Sequence, residues 1–156
     1  MIVEGIGIAI IFFIAGYLTD KIDFIIDDLK KMPNLGLQLL FLLFVGITAV
    51  IGYYYFPSLY IGVVIGLMLS GKVDKLIFVI AALFFIPYIF LNIDYKIAAM
   101  FGLASFLDEK PLFSKTRPFL KILSIGYGLF YNPLVIAAFG AFDLGYEYNT
   151  HKINKK

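Results

Sequence analysis

The sequence predicts an all-α integral membrane protein, folded as a compact polytopic helical bundle of about five or six apolar segments, some short or broken. Of its 156 residues, 62% are hydrophobic and only 15% are charged, and the mean hydropathy is +0.93. A water-soluble domain normally carries about 25% charged residues. The length suits one polytopic domain, residues 1–156.

The composition also argues against several kinds of site. The chain has no cysteine, which removes disulfides, thiolate nucleophiles and cysteine metal sites. Its single histidine, His151, lies in the polar C-terminal stretch. The formal charge of +2 is small and the basic residues are scattered, so nucleic acid is not an expected partner. We therefore expect no metal and no cofactor, and the lipid bilayer is the expected partner.

The first apolar segment, residues 2–19, is expected to cross the membrane and to continue as an amphipathic interfacial helix over 20–31. In that extension apolar and charged side chains fall on opposite faces at helical spacing. Pro33 ends the extension, because proline disfavours helical geometry in the residue before it. The apolar face holds Ile22, Ile25, Ile26 and Leu29, and the polar face holds Asp20, Asp23, Asp27 and Lys31.

The second segment, residues 35–56, is long enough to span a bilayer. It ends in the aromatic run 53–56, which is typical of membrane-water boundaries. The third segment, residues 58–70, is short for a crossing. It carries a small residue at every fourth position, a spacing that lets another helix backbone approach closely. This small-residue stripe is the predicted helix-packing site and consists of Ser58, Gly62, Gly66 and Ser70.

The later segments are interrupted. Residues 75–93 form a fourth span that Pro87 is expected to kink. Residues 97–107 are too few to cross a bilayer upright, so they form either a re-entrant segment or a short tilted span. Residues 119–142 form the last segment, and its Asn132-Pro133 break is either a kink or the tip of a helical hairpin. A charged loop, 108–118, precedes this segment, and a polar tail, 143–156, follows it.

The basic residues predict an orientation in the cell membrane. Cytoplasmic loops are enriched in lysine and arginine. An outside N-terminus places the lysines of 21–31 and of 72–75 in the cytoplasm, and it places the tyrosines of 53–55 and residues 94–96 outside. The charged loop 108–118 is then expected on the cytoplasmic side as well.

The charged loop contains Lys110-x6-Arg117-Pro118. This spacing resembles the first motif of the type-2 phosphatidic acid phosphatase family, in which lysine and arginine hold the substrate phosphate. The resemblance covers nine residues, and no histidine accompanies it to form the phosphoryl-enzyme of that family. We therefore interpret 108–118 as a solvated positive-inside loop, and we expect Arg117→Gln to leave folding intact.

Three aspartates at 20, 23 and 27 resemble the aspartate clusters of the CDP-alcohol phosphatidyltransferase family, where metal-bound carboxylates activate a lipid hydroxyl. Phe24 replaces the glycine of that motif, and no Ala-Arg pair follows. A solvated acidic face is the favoured interpretation. Weak cation or headgroup contacts are predicted at Asp20, Asp23, Asp27, Lys110 and Arg117.

Residues 66–72 read GLMLSGK, one residue short of the phosphate-binding P-loop pattern. That loop needs a serine or threonine next and a β-strand before it. Val73 follows, and the preceding segment is a predicted membrane helix. No catalytic constellation is therefore identified in the sequence.

Three functional hypotheses follow. The first is a non-enzymatic subunit or scaffold, in a homo-oligomer or with a partner membrane subunit, whose small-residue stripe packs on another helix. The second is a small transport or solute-binding membrane unit, because broken helices expose backbone groups that bind ions or solutes. The third is a lipid-processing enzyme that uses the acidic face with the basic loop.

Overall fold

The computed structural model of the chain describes residues 2–110, 112–113 and 116–153; for Ile2, Asp28, Ile89 and 149–153 it describes the backbone alone. Pro111, Ser114 and Lys115 of the charged loop and 154–156 of the predicted tail lie outside the described residues. The described part contains α-helices and no β-strand, so the predicted all-α class is confirmed. The helices are α1 (Ile2–Asp23), α2 (Leu35–Tyr55), α3 (Pro57–Leu69), α4 (Leu76–Leu83), α5 (Tyr95–Asp108), α6 (Pro118–Phe130) and α7 (Leu134–Ile153).

Four of these helices begin at residue types that favour the start of a helix. The Asn34 side chain accepts a hydrogen bond from the Leu37 amide at 2.8 Å at the start of α2, and Asp94 caps α5 in the same way. Such caps satisfy amides that have no partner inside the helix. Proline is the first residue of α3 and of α6, where its missing N–H costs nothing.

Two helices are long and apolar enough to cross a membrane, judged by length and composition alone. They cover Val3–Asp27, which joins α1 to the π-helical turn Phe24–Asp28, and Leu35–Tyr55, which is α2. The same criteria are met by buried core helices and by signal sequences. The helices α3 and α6 are apolar but shorter, at 13 residues each.

The predicted fourth span is broken. The helix α4 ends at Leu83, and a 3-10 helix, Ile86–Phe90, follows it. Pro87 explains the break, because a proline ring clashes with the carbonyl group four residues earlier, which here belongs to Leu83. The expected kink is therefore a complete interruption of the α-helix.

The Asn132-Pro133 break is the tip of a helical hairpin. Asn132 accepts a hydrogen bond from the Leu134 amide at 3.1 Å, and it donates one to the Tyr55 carbonyl oxygen at 3.1 Å. The hairpin tip is thereby tied to the turn between α2 and α3. Beyond the tip, α7 continues through Ile153, so residues 143–153 of the predicted polar tail are helical.

The helices α1 and α7 pack as a close parallel pair. Gly5 lies near Leu134 at their starts. Further along, Gly16 lies against the Phe142 backbone, and Gly145 lies against the Phe13 backbone. A side chain at either of these two glycines would overlap the carbonyl group of the facing helix, so the pair depends on both.

The helices α3 and α5 form a second close parallel pair. Gly62 and Gly66 of the small-residue stripe lie against the backbones of Ala98 and Gly102. Ser58 accepts a hydrogen bond from the Asp94 amide at 2.8 Å, which joins the starts of the two helices. Three members of the stripe therefore face α5 of the same chain. The fourth, Ser70, donates a hydrogen bond to the carbonyl group of Leu67 in its own helix.

Successive helices run in opposite directions, and the bundle has two different ends. The ends of α1, α3 and α5 and the starts of α2, α4 and α6 lie together, and we call this the charged end. The opposite end carries the tyrosines of 53–55 and the Asn132 turn. Between the two ends lies an aromatic core in which Phe12 contacts the rings of Phe56, Tyr60 and Phe139.

The glycine contacts predict the effect of small substitutions. Gly62→Ala and Gly66→Ala place a Cβ into the backbone of α5, and we expect each to lower the free energy of unfolding by about 1–3 kcal/mol. Gly7→Ala and Gly126→Ala are matched controls, because a Cβ at either position meets no atom within 4 Å. These should match or exceed wild-type stability, since alanine favours helices. Thermal unfolding in detergent measures all four, and equal effects at all positions would contradict the packing.

Candidate functional site

Buried charged groups meet at the charged end. The Arg117 guanidinium donates a hydrogen bond to Glu109 Oε1 at 2.9 Å, and the side chains are only 12% and 3% exposed. Lys72 lies 3.7 Å from the other oxygen of Glu109. Glu109 thus lies between two cations. A carboxylate this deeply buried requires such partners, because desolvation of a lone charge is costly.

The same guanidinium reaches α7 and, through it, α1. Arg117 stacks over the Tyr146 ring at 4.0 Å, and the Tyr146 hydroxyl donates to Asp23 at 3.1 Å. Burial has the largest single effect on the pKa of Arg117 and lowers it. Glu109, Tyr146, Asp143 and Asp23 together outweigh burial and raise the pKa, so the group stays charged. We call this chain the arginine network: Lys72, Glu109, Arg117, Tyr146 and Asp23.

The backbone holds Arg117 in an unusual conformation. Its φ of 43° lies in the left-handed region, which costs a non-glycine residue about 1 kcal/mol or more. Two anchors fix the loop there. Asp108, which is fully buried, accepts hydrogen bonds from the Phe119 and Leu120 amides at 3.0 and 2.7 Å, and Glu109 holds the arginine itself. The end of α5 thereby caps the start of α6.

A second ionic group lies one turn into α6. Lys121 Nζ is 2.9 Å from Asp143 Oδ2 and 2.7 Å from Glu147 Oε1. The two carboxylates are four residues apart on α7, so they lie on one face of that helix. We call Lys121, Asp143 and Glu147 the lysine network. It joins the two arms of the α6–α7 hairpin.

Both networks border a partly open cavity of about 440 Å³. Most of its lining is apolar and largely aromatic, and we call this part the inner wall. The polar and charged side chains from the loop before α6, from α6 and from α7 we call the outer wall. Ser124 is 3% exposed and lines the cavity, and its hydroxyl has no hydrogen-bond partner among the described residues. The inner wall includes Phe41, Tyr60, Phe78, Phe85 and Phe139, and the outer wall includes Arg117, Lys121, Ser124, Asp143 and Glu147.

The structure separates the residues predicted from the acidic face. Asp20 is buried, so the interpretation of a solvated acidic face is wrong at that position. Asp23 is half-buried and belongs to the arginine network. Asp27 is exposed, with Lys75 at 3.9 Å. The three aspartates, which share one sequence pattern, therefore have three different environments.

The charged loop also differs from its prediction. The prediction of a solvated loop is wrong for Asp108, Glu109 and Arg117, which are all largely buried. Lys110 does not join Arg117, because its ammonium lies over the Phe106 ring at 4.0 Å. The phosphate-motif pairing of lysine and arginine is therefore not formed, although the arginine itself is central to the site.

Sequence reasoning missed the residues of α6 and α7. Asp143, Tyr146 and Glu147 recur at positions three and four apart, a spacing that places them on one helix face. That spacing was a usable signal, but the predicted polar tail concealed it. Within the described residues, no group of three or more histidine, cysteine, aspartate or glutamate side chains is placed to hold a metal ion.

No protein-family model, curated protein or solved structure matches this chain. The site is therefore interpreted from its geometry alone.

Because the Glu109–Arg117 pair is buried, we expect substitutions of these two residues to have non-additive effects on stability. Glu109→Gln leaves the buried Arg117 guanidinium without its carboxylate partner. We expect this to lower the free energy of unfolding by about 3 kcal/mol. Adding Arg117→Met removes the stranded charge and should recover part of that loss. Arg117→Met alone strands the Glu109 carboxylate and should also destabilise the fold, contrary to the expectation that Arg117→Gln leaves folding intact.

Asp74→Asn supplies the control for this coupling, because the Asp74–Lys75 pair, 3.0 Å apart, is exposed. That variant should unfold at nearly the wild-type midpoint, since exposed pairs contribute little. Chemical unfolding in detergent micelles compares the variants. A double variant that loses as much as the sum of the two single variants would rule out the coupling.

Proposed function

We propose that this chain is a multi-pass protein of the cell membrane that binds a long-chain amphiphile in its partly open cavity. The observation that carries the proposal is the cavity itself, which joins an apolar inner wall to a charged outer wall. This corresponds to the transport or solute-binding hypothesis, with a lipid-like molecule as the solute. Ligand cavities generally combine an apolar lining with a few placed polar groups.

The outer surface supports a membrane location. Large apolar side chains are exposed on several helices, an arrangement that water-soluble monomers rarely tolerate over a wide area. In a bilayer these side chains contact lipid tails at no cost. Examples with more than half of their surface exposed are Leu35, Leu43, Leu83, Leu103, Ile122 and Leu129.

The distribution of charge supports the predicted orientation. Among the described lysines and arginines, Lys96 alone lies at the end opposite the charged end. The positive-inside rule then places the charged end in the cytoplasm and Tyr53–Tyr55 outside. The charged residues that line the cavity lie at the start of α6 and from the middle of α7 onward, which is the part of the bundle toward the charged end. The head of an amphiphile would then lie on the cytoplasmic side.

The scaffold hypothesis depended on the small-residue stripe. Gly62 and Gly66 face α5 of the same chain, so the stripe needs no partner helix to explain it. Packing of the stripe leaves the cavity and the charged side chains on its outer wall without a role, whereas solute binding accounts for both.

The topology is tested with single cysteines, since the chain has none. Met32 and Leu112 at the charged end and Tyr95 at the opposite end are 80%, 81% and 82% exposed. We expect an impermeant maleimide added to intact cells to label Tyr95→Cys and to spare the other two. Inverted vesicles should give the reverse pattern. Labelling of all three from one side would refute the proposed topology.

Occupancy of the cavity is tested with a fluorescent probe, pyrenedecanol. Gly140 lies at the exposed edge of the cavity, and a Cβ there meets no atom within 4 Å. Gly140→Phe should therefore fill space without disturbing the fold, and we expect it to weaken probe binding about tenfold or more.

Gly7→Phe is the matched control for Gly140→Phe, because Gly7 is exposed and equally open but does not line the cavity. Both variants should melt close to wild type. Binding that falls equally in both, or in neither, would show that the probe dissolves on the protein surface, and the proposal would fail.

A further inference from the structure

We infer that the cavity selects an amphiphile whose head is hydroxylated and carries no net charge, as in a monoacylglycerol. This inference rests on the proposed function, because it names the ligand class for the same cavity. It follows from how the charges on the outer wall are already compensated.

Both cations on the cavity wall are ion-paired within the protein. Arg117 is bonded to Glu109 at 2.9 Å. Lys121 lies within 2.9 Å of both Asp143 and Glu147. An anionic head such as a phosphate monoester finds no uncompensated cation there, and it would face the two carboxylates that line the cavity, Asp143 and Glu147. Like charges brought together in a poorly solvated site repel strongly.

The charged residues that line the cavity also balance. Two cations, Arg117 and Lys121, lie there with two carboxylates, Asp143 and Glu147. A ligand that brings a net charge of either sign leaves that charge uncompensated near the apolar wall, which is costly. A neutral head leaves the balance unchanged.

Two polar atoms on the cavity wall indicate which groups the head of the ligand must carry. Arg117 Nε and Ser124 Oγ, both buried in residues that line the cavity, have no hydrogen-bond partner in the described part of the chain. Both can donate, so they require an acceptor on the ligand. An ammonium head has no acceptor, whereas a hydroxyl group both accepts and donates. The carboxylates of the lysine network can accept the hydroxyl proton.

Three lipids with the same oleoyl-length chain separate these possibilities. They are 1-oleoylglycerol with a neutral hydroxylated head, oleoyl lysophosphatidate with an anionic head, and oleylamine with a cationic head. Titration of each into the detergent-solubilised wild-type protein, followed by native mass spectrometry, gives relative affinities. We expect 1-oleoylglycerol to bind about tenfold or more tightly than either charged lipid.

A charge-changing variant tests the reason for the preference. Glu147→Gln removes one carboxylate from Lys121 while Asp143 still holds it, so the fold should be retained. Affinity for oleoyl lysophosphatidate should rise severalfold relative to the affinity for 1-oleoylglycerol, because the phosphate then faces one carboxylate fewer. Asp27→Asn is the matched control, because it makes the same charge change at the charged end on an exposed residue outside the cavity wall.

The outcomes distinguish the two proposals. If all three lipids bind and Gly140→Phe weakens all of them, but a charged lipid binds as tightly as 1-oleoylglycerol, then the head-group inference fails and the proposed function stands. If none binds to the wild type, both fail. If Asp27→Asn raises the affinity for lysophosphatidate as much as Glu147→Gln does, the change is caused by the overall charge of the protein, and the inference is overturned.

Discussion

The buried charge of Arg117 is the constraint on which the charged end depends. A guanidinium can be buried only when a carboxylate and further polar contacts replace the hydration that it loses. Glu109 from the end of α5 and Tyr146 from α7 supply them, and Tyr146 in turn binds Asp23 at the end of α1. Four helices that are distant in sequence are thereby fixed at one end of the bundle.

Close helix pairing elsewhere explains why space remains for a cavity. Glycines allow α1 to pack on α7 and α3 on α5 with their backbones in contact, which draws these four helices together. The helix α4, cut short before Pro87, lines the cavity together with residues of α1, α2, α3, α6 and α7. An interior that is tight within its helix pairs and open between them has both the rigidity and the volume that ligand binding needs.

Local signals in the sequence were sufficient for most of the helices and insufficient for the site. Composition predicted the all-α class, and Pro33, Pro57 and Asn132 marked boundaries through backbone chemistry that acts over a few residues. The charged loop was misjudged because Glu109 and Arg117 look solvated until Tyr146, almost thirty residues further along, is placed beside them. Burial of a charge depends on partners brought by the tertiary fold, and helical spacing alone cannot identify them.

The networks are more elaborate than stability alone requires. Buried ion pairs often contribute no more to stability than well-packed apolar residues of similar volume, and α6 and α7 could have met through leucines where Lys121 meets Asp143 and Glu147. Ionisable groups at membrane depth usually serve a function. Here they are paired so that no net charge faces the cavity, while hydrogen-bonding capacity remains on Arg117 and Ser124. Under the proposed function, such a wall disfavours a charged head and still offers hydrogen bonds to a neutral one.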